Sequence, residues 1–419
     1  MIPLSGAPPA STTTAWVGPE RLGGCGEGDD RMHRSQTARG AVTKALSRDR
    51  IASIDGLRAL AFALVFAFHT WEFAGSPDIP VLSSVVSQNT RPDFFVVLTG
   101  FVLALPFARN PDRQIHTATY LRRRVRRIVL PYYAALAFAV LLPQLLVLIV
   151  RMLGGQASWQ PWPTWQNWAW HLSFLHIFSP EYWAGINGSL WTMSLEMQLY
   201  VLFPLVLVII SRWGIGGIIA VLGVSLAYRL IAGLAVEGQG FPMEFLVGAN
   251  GLGRLQEFLA GMLCAAFLFR RGVKRRVEWW MLAIGVVGGY LLANSPLSAL
   301  TYLSVREIGL AVAFSSLIVL VLSTRLGERG FGSRPVSWVG YRAYSFFLIH
   351  QPLMWFFSEF LTKMLGIDDG ALKLVLLWTV GLAITVGVGQ IFFVLIEKPC
   401  IAWSKRTPRS AKRAYPVGY

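Results

Sequence analysis

Residues 54–71 read IDGLRALAFALVFAFHTW. The run is apolar and of helix length, interrupted by Asp55, Arg58 and His69. At about 100° per residue, the eleven positions from Arg58 to His69 nearly complete three turns. Both side chains therefore emerge on one face, about 16 Å apart along the axis. An ionisable group inside lipid is expensive, so such a residue reads by default as a functional site or a buried pair. The plainer alternative has Arg58 snorkelling at the membrane boundary and His69 making a hydrogen-bonded helix contact.

The rest of the chain repeats the pattern. Hydrophobic residues make up 54% of the 419 and charged residues 14%, with sixteen tryptophans and repeated apolar runs near twenty residues. That composition predicts an all-α, polytopic membrane bundle rather than soluble domains. Ten stretches are long enough to span: 54–74, 93–108, 128–150, 190–211, 214–236, 252–270, 279–297, 306–324, 338–362 and 371–397. The second is short and needs partners or local thinning. The stretch 165–178, WQNWAWHLSFLHIF, is too short to cross and is expected to lie at the interface or re-enter.

Residues 1–50, rich in Gly, Pro, Ser, Thr and Arg, read as a disordered basic tail without a signal-peptide core. Residues 51–403 then form the membrane domain, and 404–419 a second basic tail. With the N-terminus inside, 29 of the 38 lysines and arginines fall on inner segments, and Arg91, Arg151 and Lys363 on outer loops. The asymmetry predicts ten spans in the cytoplasmic membrane with both termini cytoplasmic. The net charge of +16 is then explained by orientation and anionic lipid, and no nucleic-acid partner is expected. Cys25, Cys264 and Cys400 fall in no redox or metal-ligand spacing, so neither a disulfide framework nor a metal site is expected.

Several polar groups stand out against the apolar background. Thr119–Arg127, TYLRRRVRR, places Arg122, Arg123, Arg124, Arg126 and Arg127 before the third span, on the same side as Arg58. Guanidinium groups hold phosphates in bidentate fashion, so a phosphate-bearing cytoplasmic ligand could dock there. Asp93 opens the second span, and Gly100 within it permits close helix packing. Glu196 lies inside the fourth span, where it is either a structural acceptor or part of a site; as a site residue it should face the interior and share a polar cavity with the first helix, neutral unless a cation such as Arg58 or Arg254 pairs with it. Arg254 and Glu257 are three apart and suit structural pairing. His350, deep in the ninth span beyond Arg342, reads first as a packed residue, and Glu397–Lys398 as a boundary anchor. Glu72 follows His69 by one turn and could orient its ring. The loop 151–189 carries six tryptophans with His171 and His176, which suits an interfacial aromatic belt and, less specifically, sugar stacking.

Seven phrases taken together resemble the integral-membrane acyltransferase 3 family, whose members include polysaccharide and macrolide O-acyltransferases. They are IDGLRALAFALVFAFH, DFFVVLTGF, RRRVRRIVLPYY, NGSLWTMSLEMQLYVLFPL, RLQEFLAGM, YSFFLIHQP and IEKP, in order across about residues 51–403. The chain departs from the family's usual pattern at Thr90–Pro92, at Thr99 and at the phrase FLHIF. The resemblance implies transfer of an acyl group, acetyl above all, from acyl-CoA as co-substrate to a hydroxyl of a sugar, glycan or glycosylated small molecule, with no permanently bound cofactor. It implies that Arg58 and His69 are essential. His69 suits a general base and Arg58 a handle for an anionic donor or for Asp55. Glu196 joins them as the third catalytic candidate, the five arginines of 122–127 as donor-binding residues, and Asp55, Glu72, Asp93, Arg254, Glu257 and His350 as supporting ones. The rival reading is a transporter or lipid-linked sugar flippase whose path these groups would line, although no internal repeat is visible.

Overall fold

The 54–71 run lies within helix α1, Ala52–Phe73, in a computed structural model that describes residues 51–80, 82–86, 91–156, 158–269, 278–299 and 304–406. The tail expected at 1–50, all but the first three residues of the tail expected at 404–419, and the basic stretch at 270–276 lie outside the described residues. After α1 come α2 (Arg91–Arg109), α3 (Thr117–Met152), α4 (Trp165–Leu172), α5 (Trp191–Trp213), α6 (Ile215–Val236) and α7 (Met243–Ala249). They are followed by α8 (Leu255–Phe269), α9 (Trp279–Ala293), α10 (Val305–Ser323), α11 (Arg325–Phe331) and α12 (Arg334–Leu365). The last is a helical run, α13, over Gly370–Ser404. No strand occurs among the described residues.

Each of the ten apolar stretches contains a helix among its described residues. Seven helices among the described residues are long and apolar enough to cross a membrane; α8 and α9 are shorter apolar helices of 15 residues. The protein is a polytopic helical bundle. Helix α12 has 32 residues, but Arg342, His350 and Gln351 dilute its apolar character. Helix α8 begins at Leu255 rather than near 252 because the Asn250 side chain accepts from the backbone N–H of Leu252 and Gly253 at 3.1 and 3.2 Å, which holds those residues in a turn. Helix α3 absorbs the arginine segment as well. Its 36 residues reach about 54 Å, well beyond a hydrocarbon core of about 30 Å.

The centre of the bundle is α1 and α2, 56% buried over their apolar windows, while α6 at 22% sits at the periphery. Short α2 is held by an intimate contact with α8. A Cβ on Gly100 would collide with the carbonyl of Phe258, and one on Gly261 with that of Val97, so the two backbones approach as only glycine allows. Helix α12 packs along α1, where Ser358 Oγ donates to the Phe73 carbonyl at 2.6 Å, and Trp378 Nε1 of α13 donates to Thr70 Oγ1 at 2.8 Å.

Candidate active site

Two cavities lie along α1. The first, about 430 Å³, is lined by His69 and Glu72 of α1, Trp183 and Ser189 of the loop before α5, Phe245 of α7 and Gln351 of α12, among others. The second, about 320 Å³, is lined by Asp55, Arg58, Arg124, Arg127, Tyr200, Glu397 and Lys405. Phe95, Glu196 and Tyr344 line both, so the two cavities meet at these three side chains. The helical stripe carrying Arg58 and His69 thus puts one residue in each.

His69 Nδ1 lies 2.9 Å from Glu72 Oε2. A carboxylate only accepts, so Nδ1 carries the hydrogen and the neutral ring has its lone pair on Nε2. The ring packs 5.3 Å from that of His350, which is fully buried and donates from Nδ1 to the Phe347 carbonyl at 2.6 Å. Arg58 donates to Asp55 at 2.7 Å, one turn back. Glu196 accepts from the Tyr200 hydroxyl, and the Arg124 guanidinium stacks over the Tyr200 ring at 5.2 Å. Glu196 therefore faces the interior and shares a cavity with Arg58, whereas Arg254, the other proposed partner, is engaged elsewhere.

The five arginines divide. Arg124 and Arg127 line the second cavity, Arg122 and Arg123 are exposed, and Arg126 stacks on Trp403 at 4.9 Å and donates to the Arg406 carbonyl. Helical spacing is the cause, since five basic residues in six positions must point around most of the helix. The boundary-anchor reading of Glu397–Lys398 is corrected at its first member. Lys398 is exposed, but Glu397 closes a π turn at Phe393–Glu397, is buried, and accepts from Ser345 Oγ at 2.5 Å in the second cavity. A π turn changes the angular register of the helix beyond it, and such turns recur at functional sites.

Asp93, Arg254 and Glu257 line neither cavity. Arg254 bonds Asp93 at 2.5 Å and Glu257 at 2.9 Å, and Arg306 stands 3.9 Å from Asp93, joining α2, α8 and α10. A second buried pair, Arg229–Glu307 at 2.8 Å, ties α6 to α10. These ion pairs tie helices of the bundle together. In the loop, His171 and His176 are buried and stack 4.3 Å apart, within 4° of parallel. Sequence reasoning missed Tyr200, Tyr344, Gln351 and the Arg229–Glu307 pair. Tyr200 carried a signal, its four-residue spacing from Glu196; the others depend on contacts between distant helices. Among the described residues, no cluster of three or more His, Cys, Asp or Glu side chains could hold a metal ion.

Two abutting cavities, one holding a histidine–carboxylate pair and the other lined by arginines, thus lie within a multi-pass membrane bundle. The family described as an acyltransferase domain matches residues 51–394, and the chain belongs to it. It is 25% identical over 378 residues to acyltransferase MdmB of Streptomyces mycarofaciens, covering 84% of this chain and 92% of that protein. It is 23% identical over 341 residues to peptidoglycan O-acetyltransferase OatA of Listeria monocytogenes serovar 1/2a, covering 74% of this chain and 50% of that one. With O-acetyltransferase OatA of Staphylococcus aureus strain NCTC 8325 the identity is 23% over 394 residues, 85% of this chain and 58% of the relative. The chain thus spans little more than half the length of the OatA proteins it matches. No solved structure matches it.

Proposed function

We propose that this protein is an acyl-CoA-dependent O-acyltransferase of the cytoplasmic membrane, moving an acetyl or other acyl group to a hydroxyl of a carbohydrate or glycosylated acceptor. The observation that carries the reading is the meeting of two cavities at Glu196, one holding His69 and the other Arg58. The relatives' names support O-acetyl transfer, and family membership favours it over a flippase.

On this reading the donor phosphates lie at the mouth of the second cavity near Arg124, Arg127 and Lys405. The pantetheine arm runs past Arg58, about 16 Å along α1 from His69, a span comparable to the extended arm. His69 Nε2 takes the proton of the acceptor hydroxyl as its oxygen attacks the thioester carbonyl carbon. The carbon–sulfur bond breaks, and the CoA thiolate takes the proton from the imidazolium. Glu72, accepting from Nδ1, orients the ring and stabilises its charged form. Transfer through an acyl-histidine is the alternative route.

Calorimetry with a non-hydrolysable CoA analogue on detergent-purified protein tests the division of roles. His69→Ala should abolish transfer while keeping donor affinity. Arg58→Ala should weaken donor binding about tenfold or more, the scale of a charge-assisted hydrogen bond, and Arg58→Lys should recover part of it because the planar fork is lost. Equal loss of donor affinity in both alanine variants would refute the division, and full activity in His69→Ala would refute the mechanism.

A further inference from the structure

We infer that the junction of the two cavities, walled by Phe95, Glu196 and Tyr344, selects the acyl group by width, admitting straight chains and refusing branched ones; the inference rests on the acyl-CoA reading above. Arg58 and His69 stand toward opposite ends of one spanning helix, and each lines a different cavity. A thioester with its phosphates at the arginine end therefore reaches His69 acyl end first, through the place where the two linings overlap. Phe95, Glu196 and Tyr344 are the side chains that the acyl group must pass.

Each wall is held from behind. Phe95 projects from α2, which the close contacts at Gly100 and Gly261 fasten to α8. Its ring lies 6.0 Å from that of Phe347, a buried residue of α12 whose own ring packs 5.6 Å from fully buried His350. Tyr344, nearly one turn before Phe347 on α12, is tied at its far end, because its hydroxyl donates to the Ile128 carbonyl of α3 at 3.1 Å. Glu196 accepts from the Tyr200 hydroxyl on its own helix, α5. Turning Phe95 drives its ring against Phe347, and turning Tyr344 breaks its hydrogen bond. The three walls come from three helices with separate anchors, so they do not yield together.

Such a passage reads width rather than length. Beyond it lies a cavity of about 430 Å³, with room for a short straight chain. A straight chain is no wider at its fourth carbon than at its second. A branch at the carbon beside the carbonyl adds a methyl group where the chain lies between the walls, and a packed contact has no volume to give it.

Calorimetry on the full-length, detergent-purified protein tests this, with free CoA and two ketone analogues of its thioesters, the n-butyryl and the isobutyryl forms. In both, a methylene between sulfur and carbonyl prevents transfer. The analogues are isomers, so they match closely in hydrophobicity and detergent partition and differ in shape. The wild type should bind the straight analogue about tenfold or more tightly than the branched one, the scale of one misplaced methyl group. Phe95→Ala should bring that ratio within about threefold, and Phe95→Leu, the smaller perturbation, to a value between. Phe241→Ala, which removes a 71% exposed ring that lines the His69 cavity but not the junction, should keep the wild-type ratio. Equal affinities in the wild type, an unchanged ratio in folded Phe95→Leu, or equal relaxation by Phe241→Ala would overturn the proposal. CoA binding with equal analogue affinities removes the selection alone. A wild type that binds neither CoA nor either analogue would remove the acyl-CoA reading, and the selection with it.

Discussion

At the scale of single residues, Glu196 occupies the position from which both cavities are reached. It projects from α5 where the two linings overlap, and accepts a hydrogen bond from Tyr200 one turn along the same helix. A carboxylate at this depth is costly unless donors and cations surround it, and Tyr200, Arg58, Arg124 and Arg127 line the same cavity. Glu196→Gln keeps the acceptor oxygen and the shape but removes the ionisable carboxyl. It should lower kcat at least tenfold, about 1.4 kcal/mol of barrier, with the melting temperature near that of the wild type. Wild-type turnover in this variant would remove Glu196 from the reaction. The local pairs, His69 with Glu72 and Arg58 with Asp55, were legible in the sequence because helical spacing alone brings them together. The Asp93–Arg254 bond was not, since its partners stand 161 residues apart on α2 and beside α8.

At the scale of elements, the loop between α3 and α5 combines exposed tryptophans with a buried, stacked histidine pair. His171 Nδ1 donates to the Asn167 carbonyl at 3.0 Å and His176 Nε2 to the Leu190 carbonyl at 3.2 Å, anchoring the loop to itself and to the start of α5. Burial lowers the pKa of His171 to about 4; for His176, burial and then the neighbouring His171 lower it to about 3. Both lie below the unfolded value near 6.5, so the unfolded chain binds more protons as pH falls. The stability supplied by the neutral pair is therefore present above about pH 6.5 and is lost as pH drops from there toward 4. The melting temperature in detergent should fall between pH 7.5 and 5, and by less in a His171→Gln, His176→Gln double variant. Identical pH slopes in the two proteins would show that the pair does not govern the loop.

At the scale of the whole molecule, the two cavities give the bundle a direction, from an arginine-lined end to an end roofed by the tryptophan loop. The distribution of lysine and arginine predicts that the arginine end faces the cytoplasm. Single cysteines introduced into a variant lacking the native three test this. Positions 123 and 325 should react with a membrane-impermeant maleimide in inverted vesicles, and positions 162 and 363 in right-side-out ones. Labelling of 123 and 162 from the same side would break the expected ten-span topology.

The sequence by itself determined the helical class, the position of each apolar helix and the stripe shared by Arg58 and His69, because these depend on composition and on a fixed rise and rotation per residue. It also determined the family, through seven phrases in order. Only the tertiary structure decided which of five neighbouring arginines face a cavity, that Glu397 turns inward from a π turn while Lys398 stays outside, that Asp93 belongs to Arg254, and that Trp183 among the six tryptophans lines the cavity with His69. Those outcomes turn on how helices far apart in the chain rotate and approach one another, as at the Gly100–Gly261 contact, and no local period in the sequence encodes them.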